Sequence, residues 1–245
     1  MNVFISSYCK LSRIVGGKGV TRVEYPYQAV LRRITDNWLI GGGAIISHKH
    51  ILTAAHCVDN KFISHANIKI NAGETNYTHK FTSEYIPRRI FIHPKYSGHL
   101  NNRQTPNNDI AVIQVHGNIA FNRFQNSIPL TDRNIQNGDM GIISGWGTIT
   151  HPVINYASIL QKASMTIINP ISCQKEFPIN IYHDQFCAFN SSGVGPCIGD
   201  GGSPLVINYR VFGIFSMSYL CAAGVPDVYT NVFSHINFIK TVIKF

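Results

Sequence analysis

The stretch Cys197-Ile198-Gly199-Asp200-Gly201-Gly202-Ser203-Pro204-Leu205 is where this chain is best equipped to act on a carbonyl group. Three glycines allow close backbone approach, Asp200 brings a carboxylate, and Ser203 brings the one hydroxyl. Gly201 has no side chain, so it offers no oxygen to attack a carbonyl. Two other segments supply further ingredients of acyl-transfer chemistry. Leu52-Thr53-Ala54-Ala55-His56-Cys57 carries an imidazole, and Asn108-Asp109-Ile110-Ala111-Val112 carries a carboxylate. Taken alone, a histidine after a strand is an ordinary polar residue and Asp109 an ordinary turn residue.

The elements that must hold these groups are short. Strand-like runs recur at Tyr27–Ile34, Gly42–Ile46, Ile68–Ala72, Ile110–Val115, Met140–Ser144, Gln161–Ile168, Pro204–Val206 and Val211–Ser216. Asn/Gly/Pro clusters separate them, which predicts an all-β chain. The last segment differs: Phe233, Ile236, Phe238, Ile239, Val242 and Ile243 recur at helical spacing and predict one amphipathic terminal helix over Phe233–Phe245. No repeat of 20–50 residues is visible.

Composition narrows the function classes. The chain has 245 residues, 44% hydrophobic and only 13% charged, so it can bury a sizeable core and is not a disordered chain. No apolar run is long enough to span a membrane. Its formal charge of +9 favours acidic partners. The basic residues are scattered, with Arg32-Arg33 and Arg88-Arg89 the densest pairs, and no groove-reading motif accompanies them, so nucleic acid is not an expected partner. Met1–Lys10 lacks the basic start and apolar core of a signal peptide. Two sequons, at Asn76 and Asn190, suit a secreted protein.

The motifs together resemble the trypsin/chymotrypsin family of serine proteases. The glycine-rich stretch is similar to that family's C-x-G-D-S-G-G-P loop. Arg13-Ile14-Val15-Gly16-Gly17 resembles its activation junction, and Ser144-Gly145-Trp146-Gly147 its S-G-W-G turn. Gly213-Ile214-Phe215-Ser216 and Pro226-Asp227-Val228-Tyr229-Thr230 resemble the strands around the specificity pocket. The matches run from Ile14 to the C-terminus in family order. The resemblance implies two six-stranded antiparallel β-barrels with a cleft between them, formed by residues 14–245 behind a propeptide at 1–13. It implies His56 as general base, Asp109 as the group that orients it, and Gly199 and Gly201 as an oxyanion hole. It implies a cut after Arg13, freeing Ile14 to pair with Asp200, since a buried ammonium and a buried carboxylate tolerate burial only together. It also implies disulfides Cys173–Cys187 and Cys197–Cys221.

Three departures qualify the resemblance. Gly201 stands where the family has its nucleophilic serine. Ser203 lies two residues away, roughly 6 Å along an extended chain, and the loop has little slack to bring it back. In the primary pocket, Gly195 replaces an acidic residue and Asp227 occupies a wall position, leaving one displaced negative charge. The entrance reads Ser216-Met217-Ser218 in place of S-W-G, so a partly obstructed cleft is expected. Among the six cysteines, Gly41 stands at the place of Cys57's usual partner, so Cys57 and Cys9 are left over: Cys57 is a buried free thiol, or it is bridged to Cys9, or Cys9 forms an intermolecular bond. Glu74 and Glu84 are the only carboxylates near the family's calcium loop, and the eleven histidines show no ligand spacing beyond His48 and His50, so neither metal nor cofactor is expected. The expected function is that of a secreted, catalytically inactive protease homologue that binds proteins through its loops, with an active endopeptidase using Ser203 as the alternative. The chain is also similar to the inactivated protease paralogues of the scabies mite, which implies secretion into the gut and host complement or defence proteins as partners.

Overall fold

The structure, a computed structural model, describes residues 14–79, 81, 83–98, 105–150, 154–177, 180–218 and 220–244. The expected propeptide at 1–13, with Cys9 and Arg13, lies outside the described residues, as does Phe245.

Among the described residues, fourteen short strands form two antiparallel sheets. The first half of the chain supplies β2 (Gln28–Arg33), β3 (Leu39–Ile45), β4 (His50–Thr53), β5 (Ile68–Ala72), β6 (Ser83–Tyr85), β7 (Pro87–Ile92) and β8 (Ala111–Val115), in the order β6-β5-β2-β3-β4-β8-β7. The two outermost strands are consecutive in sequence, separated only by Ile86, so the sheet curls round on itself. The second sheet contains β1 (Lys18–Gly19), β9 (Met140–Gly145), β10 (Gln161–Ile167), β11 (Gln185–Phe189), β12 (Pro204–Ile207), β13 (Arg210–Ser218) and β14 (Asp227–Asn231). Here β9 pairs with both β12 and β10, which closes a six-stranded barrel and leaves β1 as an added edge. The fold is the expected one, although only the second sheet closes by strand pairing among the described residues.

Residue pattern explains the local choices. In β10, Gln161, Ala163, Met165 and Ile167 are buried while Lys162, Ser164 and Thr166 are not, the period-two alternation of a half-buried strand. β8 is buried throughout, apolar but for Gln114. Sequence reading missed two kinds of element. One is the set of strands β1, β4, β6, β7 and β11: β1, β4 and β6 are two to four residues long, β7 carries Arg88 and Arg89, and β11 shows no alternation because its first four residues are all buried. The other is α1 (Pro170–Glu176), which starts on Pro170 and is capped by the Asn169 side chain accepting from Ile171 N–H at 2.8 Å. The expected terminal helix begins as a 3-10 turn at Phe233–His235 and continues as α2 (Ile236–Ile243).

Side chains lock the two sheets together. Buried Trp146 donates its indole N–H to the Thr75 carbonyl at 2.8 Å, and the Ser144 hydroxyl donates to Gln28 Oε1 at 2.8 Å. Ile239 and Val242 of α2 join the apolar cluster containing Leu31, Ile51 and Ile113, so the C-terminus is anchored on the first half of the molecule. The cleft between the halves is thereby fixed.

Candidate functional site

His56 lies on a 3-10 turn (Ala55–Val58) that follows β4, and Asp109 lies two residues before β8. Since β4 and β8 are paired, with Thr53 opposite Ala111, the ladder itself brings the two residues together. Asp109 is fully buried. Its Oδ1 accepts from the His56 backbone N–H at 2.9 Å, and its Oδ2 accepts from His56 Nδ1 at 2.7 Å and from the Ser216 hydroxyl at 2.6 Å. The Thr230 hydroxyl donates to the Asp109 carbonyl at 2.9 Å. Just before it, Asn108 adopts φ +51° and is held by its N–H to Asp184 Oδ2 at 2.9 Å and by its amide to the Lys95 carbonyl at 3.1 Å. Strands β13 and β14 therefore converge on Asp109, Ser216 on its carboxylate and Thr230 on its backbone carbonyl. Sequence reading placed Ser216 at the pocket entrance and did not identify it, or Thr230, as a partner of Asp109.

The charges follow from this geometry. Burial acts to raise the Asp109 carboxyl, but the His56 charge and the hydrogen bonds from His56 and Ser216 outweigh it and hold it below its ordinary value. Burial works against a charged imidazole at His56, yet Asp109 and then Cys57 overcome it and hold the ring well above its ordinary value. Nδ1–H is directed at the carboxylate, and the second proton of the charged ring sits on Nε2, the nitrogen that faces Cys57 Sγ at 3.3 Å.

A serine at 201 would have to face that nitrogen. A Cβ added at Gly201 would collide with His56 Nε2, so the ring stands in space that such a side chain would need. The atom beside Nε2 is instead Cys57 Sγ, at 3.3 Å. Ser203 is fully buried, its hydroxyl has no hydrogen-bond partner, and it lies against Gly42 and Gly145. Its N–H donates to the Asp200 carbonyl and its carbonyl accepts from Phe215 N–H, fixing the loop in register with β13.

Asp200 is likewise enclosed. Its Oδ1 accepts from Gly147 N–H at 2.7 Å and its Oδ2 from Cys197 N–H at 3.0 Å. A side chain at Gly145 or Gly147 would strike this carboxylate, which is why the turn around Trp146 is flanked by glycines. Burial outweighs the two N–H donors and pushes Asp200 up to about 7. Ile14 is also fully buried, in the second-barrel core with Ile143 and Phe215, and Val15 bridges Gly195. Ile14 sits at φ +38°, an unfavourable backbone for a β-branched residue. Gly199, the other candidate oxyanion-hole residue, has φ +94° and lies under Leu39 and Tyr156.

The cleft holds a cavity of about 280 Å³ lined by His56, Gly199, Gly201, Ser216, Met217 and Ser218 among others. Asp227 and Gly195 do not line it. Asp227 Oδ2 lies 2.9 Å from where a Cβ at Gly195 would stand, and burial pushes the acid up to about 8, with the nearby Ser218 hydroxyl opposing and Asp200 adding to the rise. The displaced negative charge expected from sequence is therefore mostly neutralised at pH 7, because among the described residues no cation accompanies the carboxylate into the interior. Cys173–Cys187 and Cys197–Cys221 are disulfides, and Cys57 is the only free cysteine among the described residues. Asn76 is half-buried and bridges Ile159, whereas Asn190 is exposed and donates to the Ser164 carbonyl. Glu74 is engaged by the N–H groups of Thr75 and Asn76, and Glu84 by Lys69.

Comparison with known proteins agrees with this architecture. The family model described as Trypsin matches residues 14–239. Chymotrypsin-2 of Vespa crabro is 33% identical over 230 residues, covering 93% of this chain and 98% of the relative. Trypsin I-P1 of Gallus gallus is 31% identical over 236 residues, covering 95% and 90%. Among solved structures, neuropsin, a serine protease expressed in the limbic system of mouse brain, superposes with a TM-score of 0.83 at 28% identity, over 93% of this chain and 98% of that one. With its motifs in order, its cleft between two β-sheets and matches along nearly its whole length, this chain belongs to the trypsin family of serine protease domains.

Proposed function

We propose that this protein is a trypsin-fold binding protein without peptidase activity, secreted and matured like a protease by a cut after Arg13. The observation that carries the reading is the position of His56: its Nε2 occupies the space a side chain at 201 would need and faces the Cys57 sulfur. The alternative nucleophile, Ser203, is walled in between Gly42 and Gly145. Residual oxyanion stabilisation by Gly199 and Gly201 without an attacking hydroxyl gives only weak catalysis. Two disulfides suit an oxidising, extracellular compartment. The test is a fluorophosphonate probe applied to protein cut after Arg13. No label is expected, and label on a peptide containing Ser203 would establish the active-endopeptidase reading instead.

The partner is a protein met through the loops around the cleft, which vary freely while the barrels supply rigidity. The net charge of +9 favours an acidic surface on that partner. Together with the resemblance to inactivated mite paralogues, it directs the proposal to host complement or other defence proteins. Added to human serum at micromolar concentration, the protein should reduce complement-dependent lysis. Unchanged lysis removes this partner while leaving the claim of inactivity standing.

A further inference from the structure

The thiol of Cys57 is joined to the general-base machinery of the cleft. Its Sγ is 3.3 Å from His56 Nε2, His56 Nδ1 is 2.7 Å from Asp109 Oδ2, and that same oxygen receives the Ser216 hydroxyl at 2.6 Å. This is a continuous chain of sulfur, imidazole, carboxylate and hydroxyl, with the carboxylate and the sulfur both buried. Two absent side chains create it. At Gly41, a Cβ would stand 2.7 Å from Sγ and closer still to the Gly201 carbonyl, so a glycine there leaves the sulfur without a disulfide partner. At Gly201, a Cβ would stand 3.4 Å from Sγ and collide with Nε2, so a glycine there lets the imidazole turn to the sulfur. His56 and Gly201, which flank the sulfur, both line the 280 Å³ cleft cavity, and Cys57 itself lies buried behind them, so a small reagent would have to reach it past the imidazole.

We propose that Cys57, His56 and Asp109 form a thiol relay at the centre of the cleft, and that it takes small disulfides as its substrate class. The step is thiol–disulfide exchange. Asp109 fixes one ring proton on Nδ1 and favours the charged imidazole, so Nε2 holds the proton that Cys57 gives up. The Sγ lone pair attacks one sulfur of the small disulfide, the S–S bond breaks, and the departing thiolate collects the proton from Nε2. The products are a mixed disulfide on Cys57 and one molecule of small thiol. The reaction needs no oxidant beyond the disulfide itself. An imidazole beside a thiol is an arrangement that generates thiolate near neutral pH. This inference is independent of the proposed inactivity toward peptides, since no peptide bond is involved.

The full chain is incubated with 2-hydroxyethyl disulfide at pH 6.5, and the adduct on the Cys57 peptide is followed by mass spectrometry beside N-acetylcysteine under the same conditions. The expected result is a rate on native Cys57 at least about tenfold above that of the small thiol, because an ordinary thiol is only about 1% thiolate at that pH. The His56→Gln variant should lose about tenfold of that rate, and Cys57→Ser should form no adduct. The wild-type comparison with the small thiol needs no variant, so it stands even if a substituted chain fails to fold. A native rate at or below that of N-acetylcysteine, modification only after denaturation, an unchanged rate in a folded His56→Gln variant, or a Cys9–Cys57 disulfide in the purified chain would each overturn the proposal.

Discussion

Two buried acidic regions flank the cleft, and they solve the same problem in opposite ways. Asp109 is completely enclosed, but three donors and the His56 charge surround it, so its carboxyl is held below the ordinary range. On the other side, Asp200 has only two backbone N–H donors, Asp227 lacks a partner for Oδ1, and burial pushes the two acids up to about 7 and about 8. Burial by itself raises all three. The difference is a neighbouring positive charge, present at Asp109 and supplied to the other side only if a new amino terminus is freed at Ile14. The site is thus fully assembled where it orients the imidazole and uncompensated where nucleophile and substrate charge would be handled.

The largest break in this contrast should come from the compensated side. Asp109→Ala removes the acceptor for His56 N–H, His56 Nδ1 and the Ser216 hydroxyl together, leaving a buried polar cluster unpaired. A loss on the order of 3–5 kcal/mol is expected in urea unfolding at pH 7, and a loss below about 1 kcal/mol would contradict the role given to the carboxylate. The pH signature is also set. A carboxyl lowered on folding contributes stability above its unfolded value of about 4 and loses it as pH falls through its folded value. His56, raised on folding, contributes fully below its unfolded value of about 6.5 and loses it as pH rises through its folded value.

On the uncompensated side the sign reverses for the acids. Asp227 binds its proton more tightly folded than unfolded, so the wild-type chain loses stability as pH rises from about 4 to about 8. Asp227→Asn, which keeps the shape and removes the charge, should match wild type near pH 4 and exceed it by on the order of 2–4 kcal/mol at pH 9. Parallel stability curves for the two proteins would show that the buried acid ionises without cost. Asp200 behaves similarly in the uncut chain, up to about 7. Cleavage after Arg13 should raise stability by about 2–3 kcal/mol at pH 8, through the Ile14 ammonium and through release of its φ of +38°. Thermal unfolding of cut and uncut protein measures this, and in Asp200→Asn most of the gain should vanish.

This contrast was only partly legible in the sequence. The motif order pointed to the fold, because a few short signatures occur together in one chain, whereas periodicity alone passed over β1, β4, β6, β7, β11 and α1. These are too short, too charged or, in β11, too evenly buried to stand out in the sequence. The proximity of His56, Asp109 and Gly201 was readable from the same motifs. The electrostatic state of Asp227 was not, since residue type supplies a charge while only the fold supplies the burial that removes it. The contact between Cys57 and His56 was also hidden. It depends on two glycines, Gly41 and Gly201, about 160 positions apart in the chain, and sequence left the pairing of Cys57 open.

The smallest effect is the most direct test of whether the two regions can be rejoined. Gly201→Ser returns a hydroxyl to the loop, but its Cβ meets His56 Nε2, and the ring must withdraw before the hydroxyl can face it. Crowding of this kind costs about 1–3 kcal/mol in a packed interior, and the low end applies here because the His56 side chain is 18% exposed and can move into the cleft. Moving away from Sγ, Nε2 would exchange the Cys57 contact for one to the serine. The variant should therefore show a stability loss near 1 kcal/mol, slower exchange at Cys57, and detectable but poor hydrolysis of small ester substrates. Poor hydrolysis is expected because Met217 and Ser218 still line the cavity and Asp227 still lies outside it, mostly uncharged at pH 7. Hydrolysis at rates ordinary for active proteases, about 10 per second, would show that the pocket side needs no further compensation and that the two regions differ by one side chain alone.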